Sequence, residues 1–168
     1  VMIGLLKKGK PYLGVVDDPH DGHVYQAIRG RGAFHVFQGQ RDSLRVSQRN
    51  KFSEMPLLIS TGFPDPKLEE AKKELGCPVL PPINSVGIKV GLLVRQFGDI
   101  YLNHHGVHYW DTCAPQVILE EAGGVMTLVN GDLLKYELDK GFSHPQPTLA
   151  TNGTRHQELV ELCQRWIS

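Results

Sequence analysis

Long apolar runs are missing: no stretch nears the roughly 20 residues that a membrane-spanning helix needs, which excludes a membrane span in this sequence. An excess of either charge is missing too. Lys+Arg and Asp+Glu both number 18, so no net field draws nucleic acid or an anionic membrane surface. Cysteine is scarce: Cys77, Cys113 and Cys163 are odd in number and far apart, which fits neither a disulfide framework nor a Cys-x-x-Cys metal site. They read as reduced thiols of a cytoplasmic protein. No secretory leader is visible, and the Val1-Met2 start reads as that of a fragment or processed chain. No phosphate loop, nucleophile elbow or Cys/His nucleophile pair is evident, which fits a mechanism with no covalent intermediate.

What is present is one domain's worth of patterned chain, residues 1–168, with no internal repeat or low-complexity tract. Short apolar or alternating runs at Met2–Leu6, Pro11–Val16 and Val24–Ile28 predict strands punctuated by Gly, Pro and Asp. Phe37–Asn50 reads as a basic, solvated connecting stretch with one edge strand around Leu44–Val46, and Leu57–Ser60 is the next strand. Asp65 as N-cap and Pro66 open a helix with Leu68, Ala71 and Leu75 on one face and Gly76 at its stop. A short extended piece at Pro78–Pro82, a helix at Ser85–Val94 and a strand at Asp99–Asn103 follow. Val125–Val129 and Thr148–Ala150 predict further strands. A final helix, opened by a capping box Thr154-x-x-Gln157, buries Leu159, Val160, Cys163, Trp166 and Ile167. Alternation of strands and helices from residue 57 onward predicts a layered α/β fold.

The densest chemistry lies in Trp110-Asp111-Thr112-Cys113-Ala114-Pro115, which runs into an apolar helix closed by Gly123-Gly124. Asp111 belongs at or next to the N-cap, Pro115 in the first turn, and Gly123 at the C-cap. A carboxylate there can hold a divalent cation while the free N–H groups beside it face an anion, a pairing suited to phosphate esters. As an isolated Asp before a helix, it would be only a cap.

The segment WDTCAPQVILEEAGG resembles the C-terminal signature of the inositol monophosphatase superfamily, and within it the bisphosphate nucleotidase branch. GLLKKGKPYLGVV, VYQAIRGRGAF, INSVGIKVGLLVRQFGDIYL and GDLLKYELDKGF extend the resemblance over nearly the whole chain. It implies an inositol-phosphatase-like αβ sandwich lacking its N-terminal part. Also implied is a Mg²⁺-dependent phosphomonoesterase acting on a small phosphorylated metabolite, foremost a 3'(2'),5'-bisphosphate nucleotide. Inositol- or sugar-phosphate hydrolysis and a truncated, non-catalytic binding or assembly module are the alternatives. The resemblance makes Asp111 the catalytic metal ligand. Lys89, Ser85 and Ser60 become substrate contacts, against bland readings of Ser85 as an N-cap and Lys89 as solvent-facing. The family's Glu-Glu and Asp-Pro-Ile-Asp-Gly-Thr motifs, which build most of the metal site, have no counterpart here. A homodimer or a companion chain is therefore expected. Where nucleotidases carry a histidine, this chain has Phe63.

Two decoys remain. Asp18-Pro19-His20-Asp21-Gly22 mimics the missing motif's spacing, but Asp, Pro and Gly in that order make a reverse turn. His104, His105 and His108 invite a metal reading at helical spacing, yet Gly106 predicts a loop, and an exposed basic rim is the better reading.

Overall fold

A computed structural model describes residues 1–63 and 65–167; the side chains of Asp65 and Ile167 are not described, so their predicted cap and core roles lie outside the described residues. The first third forms an antiparallel meander: β1 (Met2–Lys7), β2 (Lys10–Asp18), β3 (His23–Ile28), β4 (Ala33–Phe37) and β5 (Gln40–Ser43), in that spatial order. A second sheet is ordered β6 (Leu57–Leu58), β7 (Ile100–Leu102), β9 (Thr148–Thr151), β8 (Val125–Leu128). Its β6–β7 pair is parallel and the rest antiparallel. The helices are α1 (Asp65–Leu75), α2 (Val86–Val94), α3 (Tyr109–Glu121) and α4 (His156–Ile167).

Strand periodicity sorts these into layers. Leu58, Tyr101, Met126 and Ala150 join α2, α3 and the first sheet in one core. Leu57, Ile100, Leu102 and Leu149, pointing the other way by the two-residue alternation of strands, join α1 and α4 in a second. The order is therefore five-stranded sheet, α2/α3, four-stranded sheet, α1/α4. Both faces of the second sheet are covered, which is why β7 and β9 are buried throughout.

The first sheet is covered on one face only among the described residues. Gly4, Gly14 and Val16 face α3 and α2, while Ile3 and Leu5 point outward and are 62% and 53% exposed. A groove of about 330 Å³ crosses that outer face, lined by Leu13, Val15, Ile28, Phe34 and Arg41 among others.

Several expectations need correction. Edge pairing is made by β4 and β5, not by Leu44–Val46, because the exposed edge tolerates polar Gln40–Ser43 while Leu44 and Val46 turn into the core. Asp18–Gly22, by contrast, is the β2–β3 turn as expected: Gly22 N–H donates to Asp18 O at 2.8 Å, with φ +74° at Gly22. Thr154 is no capping-box residue, since its hydroxyl donates to Arg49 O at 2.7 Å and α4 starts only at His156. No helix among the described residues is long and apolar enough to cross a membrane.

The closest approach of sheet and helix falls at Gly14, where an added Cβ would sit 2.5 Å from Ala114 O. Backbone on both sides leaves no flexible tip to yield. Gly14→Ala should therefore destabilise the chain by about 1–3 kcal/mol, the usual range for overpacking, read as a lower urea midpoint at unchanged slope. An unchanged midpoint would mean that α3 lifts off the sheet freely.

Candidate active site

α3 begins at Tyr109, with His108 in extended conformation as N-cap, so Asp111 is the third helical residue rather than the cap. Its Oδ2 accepts the His108 backbone N–H at 3.1 Å, and His108 Nδ1 lies 3.6 Å away. The Asp111 side chain keeps 28% exposure. Pro115 lies in the second turn, not the first, and its missing N–H leaves the Asp111 carbonyl without the usual i+4 partner. His108 stacks on exposed Trp110, 4.4 Å between ring centroids. The segment Phe142–His144 clasps this turn: Tyr109 N–H donates to Phe142 O at 2.7 Å, and His144 N–H to Val107 O at 2.9 Å.

Lys89 is buried, against the solvent-facing reading. Its Nζ donates to Ile83 O at 2.6 Å and lies 4.8 Å over the Tyr101 ring. Burial lowers its pKa to about 8, so the ammonium still predominates at neutral pH. The Tyr101 hydroxyl is within hydrogen-bonding reach of Ser60 and feels the Asp111 charge; burial is the main cause that raises its pKa. Lys89 thus lies over Tyr101, whose hydroxyl also senses Ser60 and the Asp111 charge. Sequence reasoning passed over Tyr101 because an aromatic inside an apolar strand reads as plain core.

Ser85 is tied to Lys89 through the backbone, its carbonyl accepting Lys89 N–H at 3.3 Å. It caps α2, its hydroxyl accepting Ile88 N–H at 3.4 Å, in the left-handed region at φ +73°. A non-glycine residue there is strained, and the neighbouring Thr61–Asn84 hydrogen bond (2.6 Å) braces the same loop. Phe63 is buried edge-on against His104. His104 and His105 lie in the loop after β7, and His108 joins Asp111 rather than them.

The closing Glu residues of α3 are structural. Glu121 accepts the backbone N–H groups of Gly30 and Gly32, each at 2.9 Å, and so clamps the β3–β4 turn. Glu120 pairs with Arg29 at 2.6 Å.

Among the described residues no group of three or more His, Cys, Asp or Glu side chains could hold a metal ion. Mg²⁺ prefers near-octahedral oxygen ligation, which a lone carboxylate does not meet. The donors among the described residues do not complete such a site.

The sequence-family model described as "Inositol monophosphatase family" matches residues 1–166. A 3'(2'),5'-bisphosphate nucleotidase CysQ from Aggregatibacter actinomycetemcomitans is 26% identical over 145 residues, 86% of this chain and 54% of that protein. Human inositol monophosphatase 1 is 32% identical over 139 residues, 78% of this chain and 48% of that protein. The solved IMPase of Thermotoga maritima superposes with TM-score 0.81 at 21% identity, covering 99% of this chain and 61% of its own. The inositol monophosphatase from Anabaena gives 0.74 at 26%, covering 98% and 65%. The chain spans about half the length of the curated relatives it matches.

Acid should loosen this end of the molecule. His144 is 5% exposed, and burial lowers its pKa to about 4, opposed by the Asp111 charge. An unfolded histidine titrates near 6.5, so between these values the unfolded chain binds the extra proton. Stability is full above about pH 6.5 and falls as pH drops towards 4. The shift corresponds to roughly 3 kcal/mol over that window. Urea unfolding at pH 7 and pH 5 should show a steeper loss in wild type than in His144→Gln; equal slopes would contradict the assignment.

Proposed function

The chain belongs to the inositol monophosphatase family, and from that premise we propose that it is the C-terminal part of a Mg²⁺-dependent phosphomonoesterase of the bisphosphate-nucleotidase kind. The observation that carries this reading is the partly exposed Asp111 carboxylate on the first turn of α3, sharing one end of the fold with Lys89 and Ser60. Asp111 would hold Mg²⁺ together with carboxylates from the further length that the relatives have. Bound Mg²⁺ would supply charge neutralisation for the phosphate and its attacking and leaving oxygens.

The chain's own residues supply the rest. Lys89 donates one hydrogen bond to Ile83 O, which leaves two N–H donors for a phosphoryl oxygen. Placed in a dry setting, that cation would stabilise charge developing on the oxygen. Ser60 would contribute a hydroxyl. Ser85, held by its own helix, would shape the loop and touch substrate only at its rim.

The choice of leaving group has a second reading. Phe63 is buried against His104 and offers neither a hydrogen bond nor an open ring face to a base, which favours an inositol or sugar phosphate. The bare outer face of the first sheet supports a packing partner, either the remaining length seen in relatives or a second copy. A non-catalytic binding or assembly module is the third reading, supported by the lack, among the described residues, of any group of three or more His, Cys, Asp or Glu side chains that could hold a metal ion.

Two measurements test the main reading. The 168-residue chain with Mg²⁺ should be nearly inactive on adenosine 3',5'-bisphosphate and inositol 1-phosphate, whereas the chain extended to its relatives' length should turn one of them over. Robust turnover by the short chain, abolished by Asp18→Asn or Asp21→Asn, would overturn the assignment of Asp18–Gly22 as a plain turn.

In the extended chain, Asp111→Asn should abolish turnover and Mg²⁺ dependence. Asn keeps an acceptor for His108 N–H, so stability should change by only a few tenths of a kcal/mol. Retained turnover with a lowered melting temperature would make Asp111 a structural residue.

A further inference from the structure

Beneath α3 runs a line of polar side chains from one end of the helix to the other. Arg29 Nη2 meets Glu120 Oε2 at 2.6 Å, and Gln116 Nε2 meets Glu120 Oε1 at 2.8 Å. Tyr136 OH lies 2.7 Å from Gln116 Oε1 and 3.0 Å from Thr112 Oγ1. Thr112 Oγ1 in turn lies 2.8 Å from His144 Nε2. Gln116, Tyr136, Thr112 and His144 are all buried, and the remaining ring nitrogen of His144, Nδ1, is buried without a partner.

Counting hydrogens gives the line a direction. The Glu120 carboxylate paired with Arg29 can only accept, so Gln116 must turn its NH₂ towards it and its carbonyl towards Tyr136. Tyr136 has one hydrogen and must donate it to that carbonyl. The Tyr136 oxygen, at 3.0 Å a nearer acceptor than His108 O or Tyr109 O at 3.4 Å each, then accepts from the Thr112 hydroxyl, and the Thr112 oxygen accepts from His144 Nε2–H at 2.8 Å. Reversing any link sets two lone pairs face to face at 3.0 Å or less inside the core, where an unmade hydrogen bond costs about 1–3 kcal/mol. The neutral ring therefore carries its proton on Nε2 and a bare lone pair on Nδ1.

We infer that the Arg29–Glu120 pair fixes the tautomer of His144 through Gln116, Tyr136 and Thr112, and that His144 so held is a positioning residue for the α3 turn carrying Asp111. The geometry joins the two. Thr112 follows Asp111 directly, and its hydroxyl is the point where the line meets the first turn. The Phe142–His144 segment also brackets that turn through its backbone. A hydroxyl tied on both sides cannot drift, so neither can the backbone that carries the neighbouring carboxylate. The tautomer claim stands on the hydrogen-bond geometry; the activity arm of the test rests on the phosphatase reading.

Long-range ¹H–¹⁵N correlation on the labelled chain at pH 7 should show His144 as a single Nε2–H tautomer. An Nδ1–H or charged ring in wild type would overturn the assignment. Tyr136→Phe and Glu120→Gln remove the one-way constraint, so a second tautomer should appear in both. A pure Nε2–H ring in both variants would refute remote control.

In the chain extended to its relatives' length, His144→Leu should lower kcat by about 10–100-fold, as losing a partner behind a ligand does. KM should stay within about twofold, and His144→Gln, which keeps an N–H donor, should recover most of the rate. A harmless Leu variant, or a Gln variant as poor as Leu, would overturn the positioning role. An extended wild-type chain inactive on every phosphate ester would sink the proposed function instead, while the tautomer measurement would still decide the rest.

Discussion

Everything at the candidate site depends on how closely α2 and α3 lie on the first sheet. A Cβ on Gly4 would come within 2.6 Å of Cys113 Sγ, one on Gly14 within 2.5 Å of Ala114 O, and one on Gly91 within 2.6 Å of the Tyr25 ring. Two of these glycines lie on strands and one on a helix, so the layers close on each other from both sides. Dispersion falls away steeply with separation, and a layer displaced by one methyl group would loosen the shared core. With α3 pressed onto β1 and β2 along its middle, the place of its first turn follows. That is where Asp111 stands.

Close packing fixes a helix axis but leaves slide and roll to be settled, and polar contacts at the two ends settle them. At the C-terminal end, Glu121 holds the Gly30–Gly32 turn while Glu120 meets Arg29. At the N-terminal end, Phe142–His144 closes over the first turn. The Ser47–Arg49–Asp99–Asn152 cluster does similar work elsewhere. Asp99 is fully buried there, yet it accepts from Ser47 and Arg49 at 2.5 Å each and from Asn152 at 3.2 Å. With both oxygens bonded and the side chain sealed from solvent, this carboxylate holds the fold together.

The sequence made most elements legible because apolar spacing and Gly/Pro punctuation agree with the fold from β1 to β3 and from α1 onward. It failed at β4–β5, where an edge strand needs no apolar face and so has no period to read. Boundaries slipped at α3 because His108 caps with its backbone and leaves no Ser, Thr or Asp to mark the spot. At Thr154 a perfect capping pattern was spent on a different bond, to Arg49 O. Asp111 was legible from its motif. The burial of Lys89, the place of Tyr101 and the polar line under α3 were not, since they join residues far apart in sequence whose types look ordinary one by one.

Charge pairing separates structural groups from candidate functional ones. Arg49 neutralises Asp99, and Arg29 meets Glu120 and Glu121. By contrast, Lys89 is buried with no carboxylate beside it among the described residues, held only by a carbonyl and an aromatic face. Among the described residues, the Asp111 carboxylate meets a backbone N–H and the His108 ring. An isolated charge taken out of water is costly unless something compensates it, and folding alone gives no reason to keep one. Lys89 is thus a buried cation without a carboxylate, and Asp111 a partly exposed anion, which is the contrast on which the proposed phosphate site rests. The same argument assigns Glu120 and Glu121 to the fold, since their oxygens are occupied by Arg29, Gln116 and the Gly30–Gly32 turn.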